Sequence, residues 1–204
     1  MLSFRYPDNF PKAQTGYSLY LLEKDEPGRH VAQFKWDGWR RPIYFDSGKI
    51  DFYSKHDAQA KSMPPPALVN ELRSLGIKNG IAFDAEWMGP RCANILNGEH
   101  YFILFDLLYY RGKWMGDCPY ADPKDKQSRY FLLRDIYMDL VAKHNPKFLR
   151  LEPIVEMGFM SMFEKSKTMP LTEGVVTKDR RGKLVGNMTD CGVNGSWMRV
   201  KWRQ

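Results

Sequence analysis

Cysteine is scarce in this chain: only Cys92, Cys118 and Cys191 occur among 204 residues. They are far apart, odd in number and outside any Cys-x-x-Cys spacing, so neither a zinc site nor a disulfide framework is indicated, and a reducing compartment suits them. Long apolar runs are missing as well. No stretch approaches the roughly 18–20 residues needed to cross a bilayer, and the opening Met1-Leu2-Ser3-Phe4-Arg5-Tyr6-Pro7 lacks the apolar segment of a secretory signal. A cytoplasmic protein is expected. No internal repeat or low-complexity tract is present. Acidic residues are outnumbered: 31 Lys and Arg against 24 Asp and Glu give a net charge of +7 and a pI of about 9.2. That excess suits a polyanionic partner such as nucleic acid or nucleotide phosphates, and equally a surface that cations merely keep soluble.

What is present reads as a soluble mixed α/β protein, 43% apolar and 27% charged, built around one main core at this length. Strands are expected at residues 31–36 and 42–45, then a hairpin turn at Asp46-Ser47-Gly48-Lys49 and a strand at 50–53. Pro64, Pro65 and Pro66 lead into a short helix whose Leu68, Leu72 and Leu75 share one face, stopped by Gly76. Further strands are expected at 81–86 and 101–109, and residues 112–126 read as a loop. From 128 to 144, Phe131, Leu132, Ile136, Leu140 and Val141 recur at helical spacing, ended by Asn145-Pro146. A third helix at 161–167, a strand at 174–177, a basic turn at 178–183 and a closing strand at 197–202 complete the pattern.

Five constellations carry chemistry. Lys35-Trp36-Asp37-Gly38-Trp39-Arg40 puts a lysine at the end of an apolar strand before a turn; an Asp-Gly hairpin with Lys35 toward solvent is the plain alternative. Asp84-Ala85-Glu86 sets two acids on one strand face, which is unfavourable unless a cation, a metal ion or hydrogen-bond donors share the site; a solvated edge strand would also allow it. In Phe105-Asp106-Leu107-Leu108-Tyr109 the acid interrupts an apolar run and should be paired or line a pocket, while Phe105 could stack on a base. Glu173-Gly174-Val175-Val176-Thr177-Lys178 brackets a β-branched strand with an acid and a lysine. In Trp197-Met198-Arg199-Val200-Lys201-Trp202, Arg199 and Lys201 share a face and could reach one phosphate.

In order, these segments resemble the nucleotidyltransferase domain of the covalent ligase and capping-enzyme superfamily, specifically that of ATP-dependent DNA ligases. Lys35 to Arg40 is similar to the K-x-D-G-x-R nucleophile motif and Tyr53-Ser54-Lys55 to its S-R element. Phe83-Asp84-Ala85-Glu86 is similar to D-G-E, Phe105 to Tyr109 to F-D-x-x-Y, Glu173 to Lys178 to E-G-x-x-x-K, and Trp197 to Lys201 to W-x-K-x-K. The resemblance implies an α/β (α+β) fold, an ATP-grasp-like nucleotidyltransferase domain of antiparallel sheets flanked by helices with a nucleotide cleft between them, occupying residues 1–204 as one domain. It further implies that Lys35 attacks the α-phosphate of ATP and carries AMP, which passes to the 5′-phosphate of a nicked duplex. Arg40, Arg199 and Lys201 would spread the charge building on the phosphate, with Lys178 and Lys201 contacting phosphates. Glu86 would hold the ribose, Phe105 and Val176 the two faces of adenine, and Glu173, with Glu86, magnesium. Lys55, Arg180, Arg181 and Lys183 would meet the nucleic-acid backbone. Three positions depart from the family pattern: Gln33 replaces Glu, Lys55 replaces Arg, and Arg199 replaces Lys. Arg199 keeps charge and a bidentate fork but no proton-transfer role. The family's OB-fold domain, expected after the closing strand, would be supplied in cis by a longer chain or in trans to a monomer. An RNA ligase of similar plan and a non-catalytic nucleic-acid-binding relative are the rival readings.

Overall fold

The computed structural model describes residues 12–14, 28–53, 62–89, 95–184 and 193–202. Two sheets face each other. The smaller is four-stranded, in the order β1 (Lys12–Gln14), β11 (Val193–Lys201), β10 (Thr172–Asp179), β2 (His30–Trp36). The larger is seven-stranded. Its main path runs β5 (Lys49–Phe52), β4 (Ile43–Asp46), β6 (Ile81–Met88), β7 (Tyr101–Tyr110), β8 (Lys113–Trp114), with β3 (Trp39–Arg40) on β6 and β9 (Leu149–Leu151) on β7. Most pairings are antiparallel; β9 runs parallel to β7.

Local chemistry sets the boundaries. The β4–β5 hairpin turns through Ser47 and Gly48 at φ 49° and 74°, the left-handed pair that a tight two-residue hairpin requires. Helix α1 (Pro66–Ser74) begins on a proline, whose missing N–H would be unsatisfied there in any case. Helix α2 (Arg129–His144) ends on Asn145 in the left-handed conformation, immediately before Pro146. Helix α3 (Phe159–Thr168) completes the three helices of the described residues. The short strands β1, β3, β8 and β9 were not expected from the sequence because two or three residues carry no periodicity.

Packing follows from alternation along the strands. Phe83, Ala85 and Trp87 of β6 turn outward with Phe102 and Leu104 of β7 and bury Leu68, Leu72, Leu133 and Leu140 of α1 and α2. On the smaller sheet, Ala32, Val175 and Val200 turn outward against Phe159, Met162 and Phe163 of α3. The inner faces are left to face one another. A cluster of Tyr44, Leu108 and Tyr109 with Leu184 and Trp197 ties the two sheets together. In helix α2, Arg129, Tyr130, Leu133 and Leu140 are buried; Leu132 and Ile136 are half-buried and pack on the same core as Leu133 and Leu140, and Phe131 packs on a neighbouring cluster.

Arg129 lies on that core face, one turn before Leu132 and Leu133. It and Asp106 are both fully buried, joined through Nε to Oδ1 at 2.9 Å and Nη2 to Oδ2 at 3.2 Å. The guanidinium also donates to the carbonyls of Cys118 and Gly182, tying α2 to the loop after β8 and the turn after β10. The acid that interrupts the apolar run of β7 is thus paired, as burial of a charge demands. Asp106→Asn would strand the Arg129 charge. Unfolding in urea should show a loss of about 3 kcal/mol or more, and a loss within about 0.5 kcal/mol would contradict this account of the pair.

Candidate active site

The smaller sheet builds one wall of the cleft. Residues paired across antiparallel strands share a face, and the register aligns three rows: Lys35, Gly174 and Lys201; Gln33, Val176 and Arg199; Val31, Lys178 and Trp197. The lysine before the Asp-Gly turn and the closing-strand lysine therefore flank the same glycine. The β2–β10 register slips between Thr172 and Gly174, so Glu173 is an extra residue, and such a bulge re-aims its side chain. Its carboxylate pairs with Lys35 Nζ on Oε1 and with Lys201 Nζ on Oε2, the latter at 2.6 Å. Gly174 sits at φ 147°, where a Cβ would fall 1.9 Å from the Val200 carbonyl oxygen; no other residue fits between the two lysines without moving β11.

The larger sheet supplies the opposite wall. Ala82, Asp84, Glu86 and Met88 alternate inward from β6, and Arg40 lies opposite Glu86 on β3. Arg40 grips the fully buried Asp84 with two nitrogens, Nε to Oδ1 at 2.8 Å and Nη2 to Oδ2. A second bulge occurs here. Asp84 pairs with Asp106 and Ala85 with Leu104, so Phe105 is the extra residue on β7. Arg40 stands 5.5 Å from the Phe105 ring centroid and 5.9 Å from that of Trp197.

Electrostatics join the walls. Burial pushes the Glu86 carboxyl up to about 7, against the opposing charges of Lys35 and Arg40 and with the help of Asp84 and Glu173. Burial would also raise Glu173, but the hydrogen bonds and charges of Lys201 and Lys35 hold it below the ordinary range. Arg199 Nε is buried without a hydrogen-bond partner, a donor left for an anion in the cleft. Lys35, Arg40, Glu86, Phe105, Glu173, Val176, Arg199 and Lys201 are thus gathered around one space. Among the described residues no three His, Cys, Asp or Glu side chains converge as a metal cage.

Some expected residues take other positions. Lys178, anticipated on a phosphate, is 2% exposed. Its ammonium lies 4.1 Å from the ring centroids of both Tyr120 and Trp197 and donates to the Phe105 carbonyl at 3.3 Å. Its row partner is Trp197, at the end of the cleft where the two sheets close, so aromatic rings cover it. Arg180, anticipated on a nucleic-acid backbone, is also buried, its guanidinium 3.0 Å from Glu156. Arg181 and Lys183 of the same turn are exposed. Ser54 and Lys55 lie outside the described residues. Gln33 is buried, its amide nitrogen donating to the Glu152 carbonyl at 3.1 Å and its oxygen accepting from Tyr120 at 2.8 Å. Arg129, Tyr120 and Glu152, which hold this arrangement, were missed in the sequence. The one signal for each was a polar group set among apolar neighbours.

Burial among these rings pushes the Lys178 ammonium down to about 7 from 10.5, with Asp106 and Asp84 opposing. Between those values the unfolded chain binds a proton that the folded chain does not, so this group makes stability rise with pH across the window. The gain in unfolding free energy from pH 7 to 10.5 should be shallower in Lys178→Met, by up to about 1.4 kcal/mol per pH unit. Parallel profiles for the two proteins would contradict the loss of charge that burial imposes on Lys178.

Solved structures carry this fold over nearly the whole chain. The ligase domain of M. tuberculosis LigD matches with a TM-score of 0.64 at 19% identity, covering 95% of this chain and 60% of that one. A mycobacterial DNA ligase D complexed with ATP and MES matches at 0.63 and 21%, over 97% and 60%. The ATP-dependent DNA ligase of bacteriophage T7, in complex with ATP, matches at 0.59 and 14%, over 95% and 69%. This chain spans 60% of the length of the two LigD structures and 46% of that of two further neighbours, the Pmar-Lig structures. No protein-family model matches the chain, and no curated protein does. The mixed sheets, the three helices and the cleft between them have the fold of the nucleotidyltransferase domain of ATP-dependent DNA ligases.

Proposed function

We propose that the chain is the catalytic domain of an ATP-dependent DNA ligase and that Lys35 carries AMP from ATP to the nick. The observation that supports this most directly is the alignment of Lys35 and Lys201 on the two oxygens of Glu173, inside a cleft faced by Arg40, Glu86 and Phe105. Lys35 Nζ leaves its ion pair, gives up a proton and attacks the α-phosphorus of ATP. A P–N bond forms while the bond to the β-phosphate oxygen breaks, and pyrophosphate departs with the electron pair. An oxygen of the 5′-phosphate at a nick then displaces Nζ from the same phosphorus. Finally the 3′-hydroxyl attacks the activated 5′-phosphorus, loses its proton and releases AMP. Lys201, Arg199 and Arg40 disperse the charge that accumulates on phosphate oxygens. Glu86 takes the ribose hydroxyls, and Phe105 and Val176 the faces of adenine.

Glu173, with Glu86 in electrostatic range, fits magnesium, which takes one or two carboxylates together with waters and substrate phosphates. Bound there it would neutralise phosphate charge. Arg181 and Lys183 extend the positive surface toward duplex DNA, and an OB-fold domain, in cis or in trans, would complete the clamp on it.

Incubation with magnesium and α-labelled ATP should leave an acid-labile label on the wild-type chain that pyrophosphate removes. Lys35→Ala should take up none while keeping its fold by circular dichroism. A wild type that stays unlabelled even with an OB-fold domain supplied, or a label that survives in Lys35→Ala, would overturn the reading.

A further inference from the structure

Strand β2, which carries Lys35, is an edge strand among the described residues: β10 pairs with one side of it, and no described strand pairs with the other. Its outward N–H groups need acceptors, since an unpaired buried amide is costly. Ala32 finds one in a reciprocal pair with Val155, 2.8 Å each way. Two residues on, the acceptor is a side chain. Glu152 Oε1 takes the Phe34 backbone N–H at 3.0 Å, and Oε2 takes the Trp36 indole N–H at 2.6 Å. These groups belong to the residues immediately before and after Lys35.

Glu152 is itself anchored on the opposite wall. It follows β9 directly, and its own N–H donates to the Leu104 carbonyl at 2.8 Å, one residue before Phe105. Its carbonyl accepts from Gln33 Nε2 at 3.1 Å and from the Tyr130 hydroxyl at 3.2 Å. It is 3% exposed, and no ion pair among the described residues includes it. A buried carboxylate without a counter-ion is expensive, and the contacts that offset the cost here all lead to the nucleophile strand and its neighbours.

We propose that Glu152 is a positioning residue: it ties the Phe34 backbone and the Trp36 side chain, one on each side of Lys35, to β7 next to Phe105, and so sets the distance between the attacking amine and the nucleotide. This rests on Lys35 being the nucleophile. A carboxylate serves because it can accept from both donors at once, whereas a carboxamide oxygen can satisfy only one without turning its NH2 toward the other.

The test has two arms on the full chain, in wild type, Glu152→Gln and Glu152→Ala. Hydrogen exchange by NMR on the protein without nucleotide should show the Phe34 amide exchanging at least about tenfold faster in Glu152→Ala, because a displaced edge N–H opens locally. Unchanged protection there would overturn the clamp. Single-turnover formation of the AMP adduct at saturating ATP should slow by about 10–100-fold in Glu152→Ala, as sub-ångström to ångström misplacement does, with Glu152→Gln between and the half-saturating ATP concentration little changed. Equal rate constants in all three proteins, or a loss confined to ATP affinity, would overturn the positioning role. Should Glu152→Ala not fold, Trp36→Phe removes one donor and keeps the ring; a smaller but measurable slowing supports the proposal and an unchanged rate overturns it. A wild type that forms no adduct would overturn the reading of Lys35 itself, which the exchange arm does not depend on.

Discussion

One carboxylate sits between two lysines, and the cleft is arranged around that contact. Lys35 comes from β2 and Lys201 from β11, on opposite sides of β10, and their ammonium groups would repel across the intervening strand. Glu173 answers both because β10 carries one residue more than β2 at that point. Gly174 makes the extra residue possible, since any side chain there would collide with the backbone of β11. The E-G pair is therefore a single device: the glycine vacates the space between the lysines and the glutamate fills it with charge.

The facing wall repeats the device with a different purpose. The bulge at Phe105 turns an aromatic ring and the neighbouring Asp106 toward the interior from adjacent positions of β7. Asp106 is then paired by Arg129, and Asp84 by Arg40. Lys178 lies beneath the rings of Phe105, Tyr120 and Trp197. Charge at the base of the cleft is thus sequestered in dry pairs and aromatic contacts, while Lys35, Lys201 and Arg199 remain part-exposed at its mouth. That division gives a rigid floor and a charged opening, which is the electrostatic preorganisation that phosphate chemistry uses.

Much of this could be read from the order of residues, and the reasons are local. Alternation with period two placed Arg199 with Lys201 and Asp84 with Glu86, and both pairs share a face. The hairpin at Ser47-Gly48 and the proline-led α1 followed from turn and helix chemistry. What was hidden depends on register. A bulge leaves no periodic trace, so strict alternation sets Glu173 on the face opposite Lys35, and only the adjacent glycine hints otherwise. Lys178 and Arg180 belong to a basic run that reads as exposed, yet the first falls at the closed end of the cleft and the second beside Glu156. The partner of Asp106 lies 23 residues away, in the first turn of α2, where a lone arginine gives no sign in the sequence of being buried. Glu152 had no motif around it; its role arises because β2 is an edge strand among the described residues, a fact of topology.

The central claim is that this geometry singles out one of several neighbouring lysines as the nucleophile. Tandem mass spectrometry of the protein after incubation with ATP and magnesium tests it most directly. The account predicts an adenylyl group on the peptide containing Lys35, with Lys178 and Lys201 unmodified. AMP on either of those lysines, or on none, would contradict it.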